Sequence, residues 1–306
     1  MSVIVKKGLT ESYSFYGGEV ELQFDPEEHI YYLIKGEELL PVDGVTTVVH
    51  IIDKSNVLLP WACKMMAEKL ITSVHFPITE EELTKLILAS KSAHREKLEK
   101  AGDIGKIAHR WIEEYIKFHL RSDIDWISDK PEGQAGNCCD AALSWMKIHN
   151  VRWRCTERKI YSREWNYAGT LDGIALVDSC DDPRCCPESF RDRLSLIDWK
   201  SSNYLYNEFL FQTAAYQRAY EEETGEKIED RWIVQLGKTD GEFNAWHMTK
   251  GIEEDFHAFT YCLHLTRAVK SVTVRMKIRK DELKKLMKDR VKMVKEKLKR
   301  GEKCSN

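Results

Sequence analysis

The sequence predicts an α/β protein in which a central mixed sheet is flanked by helices. Two stretches, from about Asp103 to Leu120 and from about Gly136 to Asn150, repeat their apolar residues at helical spacing. The period then drops to two over Trp153–Tyr161, Tyr167–Val177 and Leu194–Trp199, three strands separated by Gly, Asn, Asp and Pro. A helix from about Asn207 to Thr224, stopped by Gly225, is followed by a strand at Arg231–Leu236. The middle of the chain thus reads helix, three strands, helix, strand, the alternation of a layered α/β domain.

The flanks extend this pattern. Val20–Phe24, Ile30–Ile34 after Asp25-Pro26-Glu27-Glu28, and Leu39–Val42 after Gly36 read as an antiparallel meander, which Gly44–Val49 closes and leads into helical sequence. Leu59–Leu98 is helical in spacing, with a break near Phe76-Pro77, where Thr79 followed by Glu80, Glu81 and Glu82 marks a helix start. Arg121–Gly133 is polar and turn-rich. After Arg231–Leu236 a Lys-Thr-Asp-Gly turn introduces a strand at Phe243–Met248, then Gly251–Lys270 is helical and Arg275–Arg300 is a charged helix. Three regions follow: residues 1–100, an N-terminal hairpin and helical region; 101–250, the core; 251–306, C-terminal helices with a basic tail.

The chain has 306 residues, 42% of them hydrophobic, and seven prolines, so a packed core is expected rather than disorder. No run approaches the ~18 apolar residues of a membrane span, and Met1–Gly8 lacks the apolar stretch of a signal peptide, so a soluble, intracellular or cytoplasmic protein is expected with no membrane partner. The total charge of −3 conceals an asymmetry: Arg275–Arg300 holds 13 basic residues against four acidic ones, a local +9 that leaves −12 elsewhere. Within that tail Leu283, Met287, Val291, Val294 and Leu298 form an apolar stripe expected to face the body, while the lysines offer a surface for phosphates. The nine cysteines, an odd number, point to reduced thiols. Cys180, Cys185 and Cys186 cluster and could hold zinc if a histidine or a fourth thiol joined them; no second paired-cysteine motif exists, so a solvated polar loop with incidental thiols is expected.

Chemistry concentrates in Leu194-Ser-Leu-Ile-Asp-Trp-Lys-Ser-Ser202. In a strand Asp198 and Lys200 share a face at roughly 6.6 Å while Ile197 and Trp199 face the other layer. Asp172 is the lone carboxylate of a second apolar strand, with Gly169 and Gly173 about it. Two carboxylates from neighbouring strands beside a lysine suit a hard divalent cation with a cationic helper. Upstream, His109 and Glu113 share one helix face; downstream, Gln212 and Tyr216 share another.

The order His109, Asp172, Asp198-x-Lys200, Gln212-xxx-Tyr216 resembles the PD-(D/E)xK nuclease superfamily, and within it the RecB-type and phage-type exonuclease branch, over about Ala101 to Leu236. Leu40–Val48 resembles the hairpin that precedes the core in many phage members. The resemblance implies a restriction-endonuclease-like core and a Mg2+- or Mn2+-dependent DNA exonuclease serving recombination, repair or phage DNA processing. It implies Asp172 and Asp198 as metal ligands, Lys200 as the catalytic lysine, His109 as a further metal ligand, and Gln212, Tyr216 and Ser201 as substrate-binding residues. Glu157, before Asp172, joins the catalytic set, and Glu113 is a secondary candidate. DNA is the expected partner, with a helicase, recombinase, single-strand-binding protein or a second copy of the chain as accessory. The branch's iron-sulfur staple is not supported, because only Cys262 and Cys304 follow Tyr216. A non-catalytic nucleic-acid-binding module is the alternative, and a zinc enzyme on the cysteine cluster a third reading. Gly102–Lys106 has the wrong spacing for a phosphate loop, so no ATP-driven motor is expected.

Overall fold

The computed structural model describes residues 11–120 and 126–299. The start of the polar segment expected after Leu120, as well as Arg300 and Cys304, lies outside the described residues.

Four antiparallel strands open the fold: β1 (Glu11–Phe15), β2 (Val20–Asp25), β3 (Ile30–Lys35) and β4 (Glu38–Gly44). The β2–β3 turn is fixed by Asp25, whose Oδ1 accepts the N–H groups of Glu27 and Glu28 at 2.9 and 3.0 Å. Phe15, Leu22, Phe24, Tyr31 and Val42 bury one face of this meander against Tyr161 and Ala168.

The chain continues through α1 (Val45–Val49), α2 (Ser55–Ser73), α3 (Glu80–Ser90) and α4 (Ala93–Leu120). Thr79 caps α3 with a reciprocal box: its Oγ1 accepts Glu82 N–H at 3.3 Å, and Glu82 accepts Thr79 N–H at 2.9 Å. Helix α4 begins at Ala93, so the end of the helical spacing expected through Leu98 and the helix expected from about Asp103 are one continuous element. After α5 (Gly133–Ile148) come β5 (Arg152–Ser162), β6 (Tyr167–Val177), β7 (Arg193–Lys200), α6 (Glu208–Thr224), β8 (Asp230–Leu236), β9 (Phe243–Met248) and α7 (Ile252–Lys299). Gly225 ends α6 at φ 74°, the left-handed stop that glycine adopts without strain.

All nine strands join one mixed sheet in the order β1-β2-β3-β4-β6-β7-β8-β9, with β5 also paired to β6. The β4–β6 and β7–β8 pairs are parallel and the others antiparallel. Helices α4 and α5 cover one face of the core strands, packing Trp111, Ile112, Trp145 and Met146 on Ile197, Trp199, Trp232 and Val234. Trp145 meets Trp199 and Trp232 edge to face, both with centroids 5.4 Å apart. Truncating this fully buried ring to alanine would cost about 3–5 kcal/mol. Helix α6 buries Gln212, Thr213, Ala215 and Tyr216, and Tyr167 of β6 donates its hydroxyl to the Ala215 carbonyl at 2.8 Å.

The chain divides into two compact units, Met1–Phe259 and Thr260–Asn306. The first takes in both the expected N-terminal region, residues 1–100, and the expected core, residues 101–250. The second is the continuation of α7, one helix where two were expected. From Ala268 onward every described side chain of it is exposed. Leu283, Met287 and Val291 are exposed at 49%, 70% and 55%, so these members of the apolar stripe are not covered as expected; lysines and arginines flank them and keep the helix solvated. The side chains of Val294 and Leu298 lie outside the described residues. No helix among the described residues is long and apolar enough to cross a membrane.

Candidate functional site

The site is built where the sheet divides. Strand β5 lies along one edge of β6 from Tyr167 to Leu176. The other edge pairs with β4 at Tyr167 and Ala168 and with β7 from Gly173 to Val177, so neither strand is paired there across Gly169–Asp172. Asp172 closes this gap, its Oδ2 accepting the backbone N–H of Trp199 at 2.7 Å. A charged acceptor thereby takes the place of a ladder bond as β7 leaves β6.

Asp198 is 1% exposed and follows the last β6–β7 pair, Gly173–Ile197. Lys200 Nζ stands 2.7 Å from Asp198 Oδ2 and donates to Gln212 Oε1 at 3.2 Å. Gln212 Nε2 in turn donates to the Tyr216 hydroxyl at 2.8 Å. The ammonium also sits 4.7 Å from the Phe209 ring centroid. Asp198, Lys200, Gln212 and Tyr216 therefore form one polar chain between β7 and α6. The expected division of faces holds, with Ile197 and Trp199 packed in the α4–α5 layer. Tyr216 lies against Gly169, where an added Cβ would come within 2.7 Å of Tyr216 Cε1, so glycine is what lets the ring reach this position.

The β5–β6 register sets Glu157 opposite Asp172, between the pairs Thr156–Gly173 and Arg158–Leu171. Glu157 has φ 48°, a left-handed conformation that side-chain-bearing residues rarely adopt. Burial, then Asp172, then Glu113 push the Glu157 carboxyl up to about 8. Burial raises Asp172 too, against the charge of Lys200 and the Trp199 N–H. Asp198 is pushed up to about 6, by burial first and then by Asp172, while Lys200 opposes. His109, on α4, is drawn down to about 4 by burial and by the positive charge of Lys200, with Asp198 pulling the other way. It is thus a neutral imidazole at physiological pH. Glu113, one turn further, pairs with Lys117 at 2.6 Å. Ser201 lies against Gly105 of α4, which leaves room for its hydroxyl.

A cavity of about 190 Å3 opens on these groups, lined by Glu157, Gly169, Thr170, Asp172, Gln212 and Tyr216 together with His29, Tyr31, Val45 and Thr46. None of the last four was named as a site residue from the sequence; His29 comes from the β2–β3 turn, Tyr31 from β3, and Val45 and Thr46 from α1. Tyr31 and Thr170 share a hydrogen bond of 2.8 Å across the cavity wall. Gln212 and Tyr216 are buried, and what they hold directly is Lys200 and each other.

The donor set suits a hard cation. Asp198 Oδ1 is buried with no hydrogen-bond partner among the described residues. Asp172, Asp198 and His109 are not among the described groups of three or more ligands whose atoms all lie within 4.8 Å of one another. Two buried carboxylates and a neutral imidazole are groups that could hold a divalent cation. Among the described residues, the one group of three or more Cys, His, Asp or Glu whose ligand atoms all lie within 4.8 Å of one another is elsewhere: His149, Cys180, Cys185 and Cys186. The cysteine loop is therefore not merely a solvated turn. Cys186 is buried, and His149, whose position at the end of α5 gave no signal in the sequence, joins it from beside Asp178. The chain matches no family model and no curated protein.

Proposed function

We propose that the protein is a divalent-metal-dependent deoxyribonuclease with a restriction-endonuclease-like core, acting on DNA from an end. The observation that carries this reading is the polar chain from Asp198 through Lys200 to Gln212, beside Asp172 at the point where β6 and β7 part.

Phosphodiester hydrolysis needs water made nucleophilic, a counter-charge for the transition state and relief for the leaving oxygen. A Mg2+ or Mn2+ ion at Asp172, Asp198 and His109 would supply water of lowered pKa and neutralise phosphate charge. Lys200 is held on two sides, so its ammonium meets the developing charge without first losing side-chain freedom. Neutral His109 keeps a lone pair for coordination. Glu157 stands opposite Asp172, its carboxyl pushed up by burial and by Asp172 when no ion is bound. The basic stretch Arg275–Arg300 supports a polyanionic substrate.

The test is a digestion panel of linear and circular DNA, single-stranded and duplex, labelled at either end, with Mg2+ or Mn2+ and an EDTA control. The reading expects linear DNA to be degraded from an end with either ion and circular DNA to survive. No digestion under any condition, with DNA still bound, would point to a binding module instead.

A further inference from the structure

We infer that His149, Cys180, Cys185 and Cys186 form a structural zinc site that staples the β6–β7 connection to the C-terminal end of α5. It does not depend on the nuclease reading.

The spacing fits the ion. Tetrahedral zinc with Zn–S of about 2.3 Å and Zn–N of about 2.05 Å sets sulfur and nitrogen ligands ~3.6 Å apart. Cys185 Sγ lies 3.7 Å from His149 Nε2. The other ring nitrogen, Nδ1, is 3.0 Å from the Asp178 carbonyl, so it carries the proton and leaves the Nε2 lone pair for the metal. The Cys180 N–H donates to Cys186 Sγ at 3.3 Å, a bond that favours a thiolate at that sulfur.

The loop is organised for this before any ion is considered. Cys185 N–H and Cys186 N–H both donate to the Asp182 carbonyl, at 3.0 and 2.8 Å, and the tight turn brings both thiols back toward Cys180. Its base is pinned by Asp178, whose carboxylate accepts from Arg152, Asn150 and the Asp192 N–H, each at 2.9 Å. His149 is 0% exposed, its ring 5.1 Å from Trp145 and 4.8 Å from Trp232.

Soft thiolates with one imidazole select zinc over Mg2+ or Mn2+. Four protein ligands leave no open position for substrate, so the site is structural. It also stands apart from the acidic site: the strand from Asp172 to Val177 spans roughly 16 Å, and the cysteine loop begins beyond that end.

The experiment is metal analysis of the full chain purified under reducing conditions without chelator, followed by Co2+ exchange. About one zinc per chain is expected. The Co2+ form should show tetrahedral d–d bands with thiolate-to-metal charge transfer. Stripping the zinc should lower Tm, and adding zinc should restore it. Cys186→Ser and His149→Ala should each weaken retention at least about tenfold, while Cys63→Ser, at an exposed thiol, leaves it unchanged. Should the two variants fail to fold, the wild-type spectrum and zinc titration still decide. Wild-type protein that takes up no zinc on titration, a Co2+ spectrum lacking thiolate bands, or zinc content unchanged in folded Cys186→Ser would overturn the site.

Discussion

Asp172 Oδ2 and the backbone N–H of Trp199 are joined at 2.7 Å where β6 and β7 stop pairing. One carboxylate thus fixes the opening in the sheet and leaves its second oxygen for chemistry. Asp172→Asn retains an acceptor for Trp199 and should fold with nearly the wild-type Tm, while losing at least about 10²-fold in DNA digestion. Asp172→Ala should in addition lose about 1–3 kcal/mol of stability, because a buried N–H is orphaned. Denaturant titration separates the two; equal stability of both variants would show that the bond holds nothing.

Glu157 supplies a pH signature. Its carboxyl is ordinarily near 4.5 and is pushed up to about 8 in the fold. Between those values the folded state keeps a proton that the unfolded chain releases, so stability falls as pH rises through the window and levels beyond it. Asp198, moved from 3.8 to about 6, adds a slope of the same sign at lower pH. In protein kept free of divalent metal, Glu157→Gln should match wild type near pH 5 and exceed it at pH 8 by on the order of 1–3 kcal/mol. Thermal melts from pH 5 to 9 measure this, and parallel curves for the two proteins would refute the assignment.

In the proposed reading Gln212 and Tyr216 act through Lys200, to which their hydrogen bonds lead. Gln212→Ala removes the acceptor at 3.2 Å and frees the ammonium, so kcat should fall about 10–100-fold with KM for DNA little changed. Tyr216→Phe leaves the Gln212 amide without its acceptor and should show a smaller loss of the same kind. Steady-state kinetics on an end-labelled substrate read both. A rise in KM at constant kcat would make these residues DNA contacts rather than positioners of Lys200.

The tail can be tested apart from the body, since its described side chains are exposed from Ala268 on. Deleting residues 275–306 should leave the Tm of the body within about 2 °C, weaken DNA binding and flatten the dependence of log K on log salt. Binding isotherms between 50 and 300 mM salt supply the slope, and an unchanged slope would assign the tail another role.

The sheet and helices were legible wherever one face is buried, as in β6 and β7, because burial writes its period into the sequence. Strand β1 was not, since Glu11-Ser-Tyr-Ser-Phe15 contributes mainly Phe15 to the core. The continuity of α4 from the helical spacing ending at Leu98 to the helix expected from Asp103 was not legible, because Glu99–Gly102 is largely exposed and carries no stripe. At the site, Asp198 and Lys200 could be placed on one face by strand alternation alone. The hold of Gln212 on Lys200, the opposition of Glu157 and Asp172, and the approach of His149 to the cysteines all depend on contacts between elements. No spacing along the chain encodes them.

The central claim rests most directly on Lys200. End-labelled linear DNA is incubated with wild type and Lys200→Ala in Mg2+ or Mn2+, and binding is measured in parallel with Ca2+. Metal-dependent digestion by wild type, lost by at least about 10²-fold in Lys200→Ala while DNA affinity stays within about threefold, is the expected result. Digestion that survives Lys200→Ala, or wild type that binds DNA and never cleaves it, would contradict the account.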